Sequence, residues 1–194
     1  MKSILLSIRP EWVAKILNEE KTIEVRKLFP KNYVGWVYLY CSKDKKNYLY
    51  WDWYDPPFVE KEWFVSNIPN IWDDDRKNIN GPFNGKVVGR FWCDKVEEIE
   101  TTYDEYRWGE EDYLTNELNP DKLYKQSCLD FEQLNDYLKD NIGYAIHISK
   151  LEIFDEKKEL SEFNSWIVSE ETHLLKKLTK APQNYCYIEG ELEE

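Results

Sequence analysis

The densest group of polar side chains beside regular patterning is Glu19, Glu20, Lys21, Thr22, Ile23, Glu24, Val25 and Arg26. If a strand begins at Thr22, side chains alternate, so Thr22, Glu24 and Arg26 share one face and Ile23 and Val25 the other. The apolar pair takes the core side. Glu24 then lies near enough to orient Arg26, whose planar guanidinium fork suits a phosphate or a base edge. Lys21, at the turn into the strand, places a point charge over the same face, and Lys21 with Glu24 would also make an acid/base pair for hydrolysis. Spacing alone leaves a second reading open: an exposed strand carrying an ordinary ion pair.

The surrounding elements must hold this group in place. Residues 3–8 form a compact β-prone run, and Pro10 follows where a helix favours its first residue. Trp12, Val13, Ile16 and Leu17 then make an apolar stripe at helical spacing, with Asn18 as the helix end. Residues 22–25 alternate as a strand, and GWVYLYC at Gly35–Cys41 is a strong one. From 42 to 85 no clean period survives, but the many aromatics there predict an ordered excursion rather than a linker. Residues 86–96 return to strand, with Gly89 marking a bulge or a close backbone approach. The patterning predicts a short helix over 130–139, a long strand over 144–154, a helix over 170–178 and a last strand at Tyr185–Glu189. Five or six strands with short helices, and no regular β-α alternation after the start, predict an α+β fold built on a small curved sheet or barrel. The glycine-rich phosphate loops of doubly wound nucleotide folds are missing from a chain with seven glycines.

Here the residues meet a known pattern. The run LSIRPEWVAKILNEEKTIEVRK, residues 6–27, resembles the start of an ASCH domain (activating signal cointegrator homology), a relative of the PUA-like nucleic-acid-binding folds. The hallmark of that family is G-x-K-x-x-E-x-R. Lys21, Glu24 and Arg26 stand in register with it, and Glu19 takes the place of its glycine. KVVGRF at 86–91, GYAIHISKLEIFD at 143–155, KELSEF at 158–163 and APQNYCYIE at 181–189 extend the likeness to the longer ASCH proteins of Gram-positive bacteria and their phages. The resemblance implies one PUA-like domain over 1–194, a small β-barrel of five or six strands with flanking helices, elaborated at about 42–85 and 97–128. It also implies a cleft beside the first helix that binds RNA, single-stranded nucleic acid or a modified nucleotide without a cofactor. Ser7, Arg9, Lys21, Glu24, Arg26, His147, Gln183 and Tyr185 are its candidate ligand-binding residues. In the family's small amidohydrolases a Thr nucleophile follows the hallmark Lys by three places. Glu24 stands there instead, which argues against that chemistry here; a nucleoside amidohydrolase or ribonuclease using Lys21 and Glu24 is kept as an alternative.

Charge sharpens the expectation. The total is −12, yet residues 1–50 hold ten Lys and Arg against five acids, a net of +5 that leaves −17 for the remainder. A polyanion is therefore expected at the hallmark end, not over the whole surface. Aromatic side chains there would stack on unpaired bases for roughly 1 to 3 kcal/mol each. His147 alternates with Ile146 and Ile148, so it is expected away from the apolar side of its strand, lining the cleft or serving structure. Gln183, Asn184 and Tyr185 follow Pro182 at the entry to the last strand, as base-reading groups or as a turn cap. Residues 97–121 hold ten acids and only Arg107 as a cation. They support a rival reading: an inhibitor of phage or mobile-element origin that mimics nucleic acid and docks on a basic protein. The four cysteines are far apart, with no C-x-x-C pair, and there are two histidines, so no metal site is expected and the thiols should be reduced. The opening residues lack a signal-peptide pattern and no run approaches the ~20 apolar residues of a membrane span. The expected location is cytoplasmic.

Overall fold

A computed structural model of the chain describes residues 2–53, 61–67, 81–102, 112–113, 118–139, 141–168 and 173–190. Its elements in chain order are β1 (Lys2–Ile8), α1 (Pro10–Leu17), β2 (Ile23–Arg26), β3 (Gly35–Cys41), β4 (Tyr48–Trp53), β5 (Lys61–Ser66), β6 (Lys86–Cys93), β7 (Val96–Ile99), β8 (Thr101–Thr102) and β9 (Asp112–Tyr113). They continue with α2 (Pro120–Ser127), α3 (Phe131–Leu138), β10 (Gly143–His147), β11 (Ser149–Glu159), β12 (Asn164–Val168), β13 (His173–Lys177) and β14 (Tyr185–Glu189). Contacts divide these into two compact units, residues 1–19, 35–91 and 151–194 in the first and 20–34 and 92–150 in the second.

The first unit is built on a seven-stranded sheet in the order β11-β6-β3-β1-β14-β12-β13. β1 and β3 run parallel with Leu5 opposite Tyr38, and β1 and β14 run antiparallel with Leu5 opposite Cys186. Every residue of β3 is buried, as a strand covered on both faces must be. Helix α1 starts at Pro10, whose missing N–H is no loss in the first turn, and buries Val13, Ala14, Ile16 and Leu17. It packs on β3 and on the β4–β5 hairpin. Asn18, the predicted helix end, is the C-cap, and its amide clasps the hairpin: Nδ2 donates to the Trp63 carbonyl at 2.8 Å and Oδ1 accepts from the Trp63 N–H at 2.9 Å. The 42–85 excursion is ordered where it is described. Residues 54–60 and 68–80 lie outside the described residues.

In the second unit, β2-β10-β7 form a three-stranded sheet. One of its faces contributes Ile23, Val25, Ala145 and Ile99 to a core closed by Leu123 of α2 and by Phe131, Leu134 and Leu138 of α3. Both helices are capped in sequence-readable ways. Asn119 accepts from the Lys122 N–H ahead of Pro120, and Asp130 with Gln133 makes a capping box.

Several expectations are corrected. A closed barrel is not formed among the described residues, because the seven-stranded sheet ends at β11 and β13. Closure needs pairing between strands remote in sequence, which the alternation inside each strand does not encode. The strands number more than five or six, since the runs 86–96 and 144–154 each break into two strands belonging to different sheets. The helix over 170–178 is, in its described part, the strand β13, paired to β12 with Trp166 opposite Leu175. Pairing with the aromatic and β-branched residues of β12 overrides local helix propensity. Helix α2 was not anticipated, since it sits in the elaboration at 97–128.

Gly89 meets the expected close approach. A Cβ there would lie 2.6 Å from the Glu152 carbonyl oxygen and 3.4 Å from Ile153 Cα across the β6–β11 pair. Backbone cannot yield as a side-chain tip can, so Gly89→Ala should destabilise the chain by about 1–3 kcal/mol in urea unfolding. A variant as stable as the wild type would refute the packing assigned to this edge.

Candidate functional site

Glu24 is the centre of the site. The end of α1 leads through Glu19, held at positive φ (60°), into the turn that carries Lys21, and Thr22 anchors the entry to β2. The Thr22 N–H donates to the Gln126 carbonyl at 2.9 Å, and its own carbonyl accepts from the Ile148 N–H at 2.9 Å. With the register fixed, Ile23 pairs opposite His147, Glu24 opposite Ile146, Val25 opposite Ala145 and Arg26 opposite Tyr144. Directly paired residues share a face. Glu24 and Arg26 therefore lie on one face with Ile146 and Tyr144, and Ile23 and Val25 on the core face, as the alternation predicts.

The three hallmark side chains converge. Arg26 Nε is 2.9 Å from Glu24 Oε1, and Lys21 Nζ is 3.5 Å from Glu24 Oε2. The Lys21 ammonium also donates to the carbonyl of Ser127, the last residue of α2. Lys21 is 2% exposed and Glu24 5%, whereas the Arg26 side chain keeps 14%. The group is a buried charge chain with one end nearer solvent, not the exposed ion pair that spacing left open. Burial pulls the Lys21 ammonium below the ordinary lysine value, and Glu24 opposes that shift without cancelling it.

The other candidates separate into two sets. His147 lies in the same sheet but on the opposite face from Glu24 and Arg26, with Ile23, Val25 and Ala145, since it pairs opposite Ile23. His147 does face away from Ile146, as the alternation predicts, but it is Ile146 that shares the face of Glu24 and Arg26, so His147 does not line their side of the sheet. His147 Nε2 contacts Glu97 Oε2, and Lys95 Nζ holds the other oxygen at 2.9 Å. Burial alone would raise Glu97, but these two partners bring it below the usual carboxylate value. Ser7, Arg9, Gln183 and Tyr185 belong to the first unit. The Ser7 hydroxyl donates to the Pro182 carbonyl at 2.8 Å and its N–H to the Asn184 carbonyl at 2.9 Å. Tyr185 pairs opposite Leu6, so Ser7, Gln183 and Tyr185 gather at one end of the β1–β14 pair. Gln183 is exposed. Arg9 is the N-cap of α1 and makes no side-chain cap; its carbonyl accepts from the Trp12 and Val13 N–H groups. Residues 103–111 and 114–117, most of the acidic run, lie outside the described residues.

Sequence reasoning missed the Ser127 carbonyl. Its signal was readable in part: Asn119 before Pro120 is a helix start, and a helix begun there ends close to Ser127. That its last carbonyl meets Lys21 is tertiary information. The cysteines are free as expected, and burial pushes the Cys93 thiol up to about 12 and the Cys186 thiol up to about 11. No group of His, Cys, Asp and Glu among the described residues could hold a metal ion, and no described helix is long and apolar enough to cross a membrane.

No family model matches the sequence, and no curated protein matches it. Among solved structures, the chain is similar to ASCH from Zymomonas mobilis at 12% identity, covering 81% of this chain and 73% of that one, with a TM-score of 0.45. Two mutant forms of the same protein give 12% identity with TM-scores of 0.46 and 0.49, covering 82% and 94% of this chain and 77% and 85% of theirs.

Removing one partner of a buried ion pair leaves the other stranded. Lys21→Met should therefore cost about 3 kcal/mol near neutral pH. Because folding lowers the Lys21 value, the unfolded chain binds more protons than the folded one between the folded value and 10.5. Stability then rises with pH across that window. Urea midpoints should show the wild type gaining on Lys21→Met as pH climbs toward 10.5, and a constant gap would contradict the desolvated ammonium.

Proposed function

We propose that this chain binds RNA or a modified nucleotide, with Arg26 as the contacting cation and Lys21 and Glu24 as the buried groups that position it. The observation that carries this reading is the charge chain itself. Three charged side chains, two of them almost fully buried, cost more than apolar residues of equal volume would, and such arrangements concentrate at functional sites. Glu24, paired with Lys21 on one side, holds Arg26 by a 2.9 Å ion pair without a hydrogen bond at Nε, and a guanidinium held in place loses less freedom on gripping a phosphate or a base edge. Tyr144, paired opposite Arg26, shares its face of the sheet. The likeness of 6–27 to the ASCH hallmark points to an anionic ligand as well.

Burial also ranks the alternatives. At 2% and 5% exposure Lys21 and Glu24 do not meet a polymer directly, which favours binding over hydrolysis by that pair. The acidic mimic rests on a run of which Glu97, Glu98, Glu100, Asp112 and Asp121 are described, and two of these acids are already paired, Glu97 with Lys95 and His147 and Glu98 with Lys31, which does not favour that reading.

Titration with short single-stranded RNA at two salt concentrations tests the proposal. Arg26→Ala should weaken binding about tenfold and reduce the slope of log affinity against log salt by about one. Unchanged affinity in a folded Arg26→Ala variant would sink the assignment.

A further inference from the structure

Arg26 belongs to a row of side chains that crosses the whole sheet of the second unit. Tyr144 of β10 pairs opposite Arg26 of β2 on one side and opposite Glu98 of β7 on the other. Directly paired residues share a face, so Arg26, Tyr144 and Glu98 stand in line on the face that also carries Glu24. Adjacent strands lie about 4.8 Å apart, which separates Arg26 from Glu98 by about 10 Å at the backbone. Lys31 completes the row, because its ammonium pairs with the Glu98 carboxylate. The loop that delivers Lys31 is anchored. Phe29 is buried and meets Tyr33 edge to face, with ring centroids 5.8 Å apart, and the Tyr33 N–H donates to the Pro30 carbonyl at 3.2 Å. Five residues after Arg26, the chain thus brings a second cation to the opposite end of the row.

We propose that Lys31 is a second phosphate contact of the Arg26 site and that Glu98 is its resident counter-ion, displaced when a single-stranded RNA segment with at least two phosphates binds. This rests on the nucleotide reading of Arg26 and narrows its ligand from a lone nucleotide to a strand. Exposure distinguishes the two ion pairs on this face. The Lys21 and Glu24 side chains keep 2% and 6% of their surface, whereas those of Lys31 and Glu98 keep 60% and 38%. A solvated pair is weakly held and exchanges partners readily, while Glu24 cannot leave its two cations without stranding them. Charge gives the exchange a direction. Lys21, Glu24 and Arg26 sum to +1, and Lys31 and Glu98 cancel, so a phosphate that takes the place of the Glu98 carboxylate meets two cations instead of one. Glu98, like a phosphate oxygen, is an acceptor only and imitates the group it yields to. Tyr144 takes part from the middle of the row: the Lys31 ammonium is held above the ordinary lysine value first by Glu98 and then by the Tyr144 phenol, which lies within electrostatic reach of it.

The full chain is titrated with a short oligouridine at two salt concentrations, as wild type, Lys31→Met, Glu98→Gln and the double variant, each with wild-type circular dichroism. Glu132→Gln, which removes an exposed acid from α3, is the control for charge alone. Lys31→Met should weaken binding about fivefold and reduce the slope of log affinity against log salt by about one. Glu98→Gln should strengthen binding about threefold, and Glu132→Gln should do much less. In the Lys31→Met background Glu98→Gln should add little, because the cation it occupies is gone. A gain from Glu98→Gln that is equal with and without Lys31, or matched by Glu132→Gln, would reduce Glu98 to long-range repulsion and overturn the proposal. Arg26→Ala binding weakly while every Lys31 and Glu98 variant binds as the wild type does would overturn this inference alone. A wild type that binds no oligouridine, or an Arg26→Ala variant that binds it unchanged, would overturn the nucleotide reading and this inference with it.

Discussion

A carboxylate with 5% exposure must be neutralised where it sits, and Glu24 is neutralised from both sides. Lys21 reaches it from the turn before β2 and Arg26 from the same strand two residues on. Much of the second unit is arranged around that requirement. The α2 carboxyl end supplies the Ser127 carbonyl to the Lys21 ammonium, and the Gln126 carbonyl takes the Thr22 N–H. The entry to β2 is thereby fixed against the end of a helix about a hundred residues later in the chain. Desolvation works against all three charges, and their mutual attraction offsets it only while the geometry holds. A core of Ile23, Val25, Leu123, Phe131 and Leu134 lies on the other face of the same sheet, so the unit has an apolar source of stability and carries the charge chain in addition.

What could be read from the sequence was local. The alternation of Thr22 to Arg26 gave the two faces of β2 correctly, Pro10 and Asn18 bracketed α1, and Gly89 marked a real close approach. Pairing decided the rest. The alternation of Ile146 and His147 holds, but which of the two faces carries Glu24 is set by the pairing of β10 with β2, and the run 144–154 hides a break at Ile148 and serves two sheets. Residues 173–177 form a strand because β12 offers an edge, a fact no window around them contains. The burial of Lys21 was invisible for the same reason, since its acceptor comes from a helix in a segment with little apolar patterning. Within the described part of the Trp-rich excursion, Trp51 stands opposite Trp63 and Phe83 packs edge to face on Trp63.

Charge is unevenly distributed along the chain: residues 1–50, which include Arg26, carry +5 and the remainder −17. The overall −12 is therefore no guide to the charge beside any one group.

The central claim is that the Lys21, Glu24 and Arg26 chain is kept for ligand binding at a cost in stability. It is tested most directly by replacing all three together, Lys21→Met with Glu24→Leu and Arg26→Met, and measuring urea unfolding and RNA affinity on the same preparation. The account predicts stability equal to or above the wild type, because an apolar trio removes the desolvation penalty without stranding a charge, together with loss of binding. A variant that binds RNA as the wild type does, or that loses several kcal/mol of stability, would contradict it.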